Sequence, residues 1–84
     1  MRYLITEEGI RTLLQLPKSV QRKILDKLDY IFETENPFTY SKKLNHFEYG
    51  DYRMRIGDYR ASFDLKNNTA YFLKFGHRKD FYKK

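Results

Sequence analysis

Apolar residues recur along this chain with two periods, and the change of period divides it into two parts. Val20, Ile24, Leu25, Leu28, Ile31 and Phe32 lie mostly three or four positions apart, the spacing that gathers side chains on one face of a helix. From Tyr52 onward the apolar positions alternate as Tyr52, Met54, Ile56 and then Tyr59, Ala61, Phe63, the two-residue period of strands with one face in a core. The helix is predicted to begin at Pro17 or after Ser19, because proline is tolerated in a first helical turn, and to run to about Phe32 or Thr34 before Pro37 stops it. Upstream, Met1 to Thr6 reads as a short strand. Thr6 then caps a first helix with Glu7 and Glu8 in its opening turn, at the positive end of the helix dipole, and with Ile10, Leu13 and Leu14 on one face. Residues 36–50 read as an irregular connection.

Three strands are predicted after it, at Tyr52 to Ile56, Tyr59 to Leu65 and Thr69 to Gly76, the last two joined by a turn at Asn67-Asn68. Gly57-Asp58 has the form of a two-residue type II′ hairpin loop, with glycine first, which would set Ile56 opposite Tyr59, Arg55 opposite Arg60 and Met54 opposite Ala61. Alternation then puts Arg53, Arg55 and Arg60 on one face and Tyr52, Met54, Ile56, Tyr59, Ala61 and Phe63 on the other. In the last strand Tyr71, Leu73 and Phe75 are expected in the core, with Phe72, Lys74 and Arg78 on the exposed face. The expected fold is α+β. An N-terminal strand is followed by a helical hairpin that packs on one face of a small, mainly antiparallel four-stranded sheet, all within a single domain of 84 residues.

A helical hairpin covers one side of such a sheet, and the arginines occupy the other. Two arginines directly opposite each other repel, a cost that a bound polyanion would offset. The net charge of +6 is distributed to match. Residues 1–41 carry six basic and six acidic side chains, whereas residues 42–84 carry eleven and five. A neutral half joined to a basic half points to nucleic acid as a ligand for the second half. The sequence contains no cysteine, so disulfides and thiolate metal sites are excluded. The N-terminus reaches acidic residues too early for a signal peptide, and no apolar run approaches a membrane span, so a cytoplasmic location without membrane contact is expected.

Tyr52-Arg53-Met54-Arg55-Ile56-Gly57-Asp58-Tyr59-Arg60 and Gly76-His77-Arg78-Lys79-Asp80-Phe81-Tyr82, together with the order strand, helical hairpin, strands, resemble the RelE/ParE superfamily of toxins along essentially the whole chain. The resemblance implies a type II toxin with a cognate acidic antitoxin. For the RelE branch it implies an endoribonuclease that cuts mRNA in the ribosomal A site; for the ParE branch, a gyrase inhibitor that cuts no nucleic acid itself. An inactive RNA-binding homologue is the third reading. Arg53, Arg55 and Arg60 match the family's basic strand positions, and Arg78 and Tyr82 match its C-terminal arginine and tyrosine. No cofactor, metal or small-molecule ligand is implied.

RNA cleavage by the neighbouring 2′-hydroxyl needs a base, cations around the five-coordinate phosphorus, and an acid for the departing oxygen. Arginine supplies only the cation, because it stays protonated and has no acceptor. Arg60 and Arg78 are the candidates at the scissile phosphate, and Arg53, Arg55, Lys42, Lys43 and Lys79 are candidates for holding RNA. His77 is a candidate proton carrier or, equally, a strand-end cap. Tyr82 is a candidate base or acid if arginines stabilise its phenolate, or else a packed terminal aromatic. His46 and Glu48 are weaker candidates. Some relatives use a catalytic glutamate before the central strands, but Ser41-Lys42-Lys43-Leu44 stands there, so a Glu/His pair is not expected. The chain stops two residues after Tyr82, which implies no mobile C-terminal helix.

Overall fold

The computed structural model describes residues 1–34, 36, 41–43 and 50–81. Strand β1 (Arg2–Ile5) leads into α1 (Glu7–Leu14) and α2 (Lys18–Thr34), followed by β2 (Ser41–Lys43), β3 (Tyr52–Ile56), β4 (Tyr59–Lys66) and β5 (Thr69–His77). Thr6 is extended, and its hydroxyl accepts the Gly9 N–H at 3.1 Å, the cap its position predicts. The Pro17 carbonyl accepts the N–H groups of Val20 and Gln21 at 3.0 and 2.9 Å, starting α2 one residue after the proline.

Among the described residues the sheet has five strands in the order β1-β5-β4-β3-β2, with β1 parallel to β5 and every other pair antiparallel. The four-strand expectation missed β2, which pairs Ser41, Lys42 and Lys43 with Met54, Arg53 and Tyr52. Three mostly polar residues are too short to show a strand period. The first hairpin has the expected register, with Ile56 opposite Tyr59, Arg55 opposite Arg60 and Met54 opposite Ala61. Gly57 has φ 58° and Asp58 lies outside the positive-φ region, as a type II′ turn requires. In the second hairpin Asn67 and Asn68 both have positive φ, 51° and 60°, the type I′ arrangement that asparagine tolerates.

The last strand departs from the expected alternation. Ser62 pairs with Lys74 but Phe63 pairs with Phe72, so Leu73 is an extra residue, a β-bulge. The bulge switches the phase: Phe72 is buried in the core, while Tyr71 and Leu73 are only half-buried; Phe75 is buried as expected. Helix α1 packs beside the bulge. Beyond the end of β1, Thr12 Oγ1 accepts the Phe75 N–H at 2.9 Å, and the Phe72 carbonyl accepts both the N–H and the hydroxyl of Thr6 at 3.0 Å. Gly9 lies so close to that carbonyl that an added Cβ would stand 2.4 Å from its oxygen.

The core joins Leu13, Ile24, Leu28 and Ile31 of the helices to Met54, Ala61, Phe63 and Phe72 of the sheet. Of the apolar face expected on α1, only Leu13 is buried; Ile10 and Leu14 are exposed, because α1 meets β5 along its Gly9, Thr12 and Leu13 side. The sheet face away from the helices carries the cations.

Candidate nucleic-acid interface

The register fixes the cationic face. Lys42 pairs with Arg53, and Arg55 pairs with Arg60, so these four side chains alternate away from Met54, Ala61 and the helices. A groove of about 680 Å³ runs along them to the hairpin tip, lined by Lys27, Lys42, Arg53, Arg55, Gly57 and Asp58, with Ser41. Lys27 was not among the residues singled out in the sequence. It belongs to α2, and only the way the helix docks brings its side chain to the groove.

Arg60 is on the same face but is held differently. Its Nη1 donates to the carbonyls of Gly57 and Tyr59 at 3.0 and 2.9 Å, so the guanidinium braces the hairpin tip. Arg78 follows β5 and docks on that tip from the other side: its N–H donates to the Asp58 carbonyl at 2.8 Å and its Nε lies 3.8 Å from the Asp58 carboxylate. Both arginines therefore converge on Gly57-Asp58, which also lines the groove.

The chain after Arg78 folds back as a turn. The N–H groups of Asp80 and Phe81 donate to the His77 carbonyl, each at 2.9 Å. Phe81 is fully buried although it lies apart from the main core, with its ring against Gly76, where an added Cβ would be 3.4 Å from Cδ1. Gly76 pairs with Arg60, so Phe81 covers part of the cationic face. Lys74 secures it, donating to the Phe81 carbonyl at 2.5 Å with its ammonium 5.0 Å from the ring centroid. The packed terminal aromatic weighed for Tyr82 is a role that Phe81 fills; Tyr82 itself lies outside the described residues, as do His46 and Glu48.

His77 Nδ1 accepts the Lys79 N–H at 3.1 Å, and the ring meets Tyr59 edge-on at 5.2 Å between centroids. With Nδ1 accepting, the proton of the neutral ring sits on Nε2, which offers a donor and no lone pair. The imidazole caps the strand end on the Tyr59 side, away from Arg60. Lys43 pairs with Tyr52, so it alternates to the face opposite Lys42. Lys79 is exposed on the C-terminal turn. Geometry thus gathers Lys27, Lys42, Arg53, Arg55, Arg60 and Arg78 around one groove and its tip, while His77, Lys43 and Lys79 stand outside it.

No family model matches the chain, and no curated protein does. Solved structures do. A structure of the toxin–antitoxin complex RelBE2 from Mycobacterium tuberculosis contains a chain 23% identical to this one, with a TM-score of 0.75 over 92% of this chain and 96% of that one. The RelB–RelE complex from Methanococcus jannaschii gives 21% identity and a TM-score of 0.70 over 94% of each chain. These two likenesses establish the fold. The archaeal RelE–RelB complex from Pyrococcus horikoshii OT3 reaches 30% identity over 92% of this chain and 93% of that one, with a TM-score of 0.63. Identity at that level over nearly the full length of both, on a shared fold, places this chain by descent as well as by shape: it belongs to the RelE-like toxins of toxin–antitoxin systems.

Proposed function

We infer that this chain is the toxin of a type II pair, held by a cognate antitoxin, and that its activity is cleavage of mRNA in the ribosomal A site. The observation that carries this reading is the groove along Lys27, Lys42, Arg53 and Arg55, which ends at a hairpin tip held by Arg60 and Arg78. Cations spaced along a groove track a phosphodiester backbone, and guanidinium groups at its end stabilise charge that grows on a phosphate. In the reaction a 2′-oxygen attacks the adjacent phosphorus, and the bond to the 5′-oxygen breaks. The products are a 2′,3′-cyclic phosphate and a 5′-hydroxyl that has gained a proton. Arg78 and Arg60 stabilise the five-coordinate phosphorus in this scheme, and Tyr82 is the proposed proton carrier, a role that requires guanidinium groups to lower the cost of its phenolate. The ribosome supplies the splayed single strand needed for in-line attack.

Purified protein added to programmed ribosomes should yield mRNA fragments with cyclic phosphate ends in the presence of a chelator. Intact mRNA, together with cleaved DNA trapped on gyrase, would replace this reading with gyrase inhibition.

A further inference from the structure

The turn that follows β5 is fastened at every backbone donor from Arg78 to Phe81. The Arg78 N–H donates to the Asp58 carbonyl at 2.8 Å, the Lys79 N–H to His77 Nδ1 at 3.1 Å, and those of Asp80 and Phe81 to the His77 carbonyl, each at 2.9 Å. Chain ends fray unless something ties them down. Two side chains tie this turn to the sheet. Phe81 lies outside the main core yet is fully buried, with its ring seated on Gly76. Lys74, two residues before Gly76 and so on the same face of β5, donates to the Phe81 carbonyl at 2.5 Å and holds its ammonium 5.0 Å from the ring centroid.

Lys74 is unlike other cations of this face. It pairs with Ser62, which is fully buried, and is itself half-buried, whereas Lys42 and Arg55 are exposed. Its ammonium is directed at a carbonyl of its own chain, and it is not part of the lining of the cationic groove. To reach a phosphate it would have to give up a charge-assisted hydrogen bond, the stronger kind. What that bond holds is the turn that carries Arg78. A guanidinium stabilises a developing charge best when it is in place beforehand, and a displacement of about 1 Å can cost about a hundredfold in rate.

We propose that Lys74 is a positioning residue for Arg78: together with Phe81 it fastens the C-terminal turn to the sheet, so that the Arg78 guanidinium stands at the hairpin tip before RNA arrives. Lys74 itself makes no contact with RNA. The proposal rests on the nuclease reading above and adds what keeps the C-terminal cation in place.

Lys74→Met keeps the apolar stem and removes the ammonium. On programmed ribosomes it should lower the single-turnover cleavage rate by about tenfold, the scale of one charge-assisted hydrogen bond, with ribosome affinity unchanged. Lys74→Arg, which keeps a donor and a cation beside the ring, should retain most of the rate. In an Arg78→Ala background Lys74→Met should bring little further loss, because its effect passes through Arg78. A loss of about tenfold that persists in full in that background would overturn the proposal. The salt dependence of binding to a single-stranded oligoribonucleotide should stay at the wild-type slope; a slope reduced by about 0.7 in Lys74→Met would make Lys74 a phosphate contact and overturn it too. Hydrogen exchange adds a readout that needs no cleavage. Lys74→Met should speed exchange of the Arg78 and Phe81 amides by about tenfold while the Leu28 amide in α2 keeps its rate. Unchanged exchange at Arg78 overturns the proposal whatever the ribosome shows. If exchange at Arg78 quickens but the wild-type protein leaves mRNA intact, the fastening stands and the nuclease reading fails.

Discussion

Arginines on the cationic face differ in what they already hold. Arg60 is tied to two carbonyls of the hairpin tip, whereas Arg55, its cross-strand partner, is exposed. Arg60→Ala removes a charge and a brace together, and thermal unfolding should show a loss of about 1 kcal/mol, the scale of a net hydrogen-bond contribution. Arg55→Ala should leave stability unchanged or raise it by a few tenths of a kcal/mol, because it removes a like-charge cross-strand pair. Tyr3 offers a second test at this scale. Its hydroxyl donates to Asp29, and burial first, then that bond and the charges of Asp29 and Glu33, push its pKa up from the ordinary 10.0. The folded state therefore holds this proton more tightly than the unfolded chain does. The stabilisation is complete below pH 10 and is lost as the pH rises above it. Tyr3→Phe should cost about 1 kcal/mol at pH 7, and the gap from wild type should shrink in denaturant titrations at pH 11.

At the scale of elements, α1 meets β5 in close contact along Gly9 and Thr12. Gly9→Ala pits two effects against each other: alanine is the better helix former by about 1 kcal/mol, but its Cβ would stand 2.4 Å from the Phe72 oxygen. Overpacking costs about 1–3 kcal/mol, and backbone cannot yield as a flexible side chain can, so calorimetry should show a lower Tm. Such contacts also explain what could be read in advance. The β3–β4 register was legible because one local signal, glycine then aspartate between alternating runs, sets it. The bulge at Leu73 was not, because the contact beside it, from the Phe75 N–H to Thr12, comes from a helix sixty-odd residues away, and nothing in Tyr71-Phe72-Leu73 announces it. β2 escaped because its three residues find their order only against β3. In the site, the strand arginines could be placed on their face by alternation alone, whereas Lys27 depended on how α2 docks. His77 was left between proton carrier and cap; in the structure its Nδ1 caps the Lys79 N–H.

Across the whole molecule, the charge that distinguishes the halves of the sequence lines the groove that ends at the hairpin tip. If RNA lies along Lys27, Lys42, Arg53 and Arg55, neutralising about four phosphates, then log K for a single strand should fall with log salt with a slope of about −3. Lys27→Ala and Lys42→Ala should each reduce that slope by about 0.7. A slope near zero would remove the groove from the account. The central claim is that cations at the tip act on the phosphate being cut rather than merely on the strand being held. It is tested most directly by the single-turnover rate of mRNA cleavage on programmed ribosomes for Arg78→Ala, measured beside its ribosome affinity. The account predicts a rate lower by about a hundredfold, the scale of losing one preorganised donor to a developing charge, with affinity little changed. An unaltered rate, or a loss entirely explained by weaker binding, would contradict it.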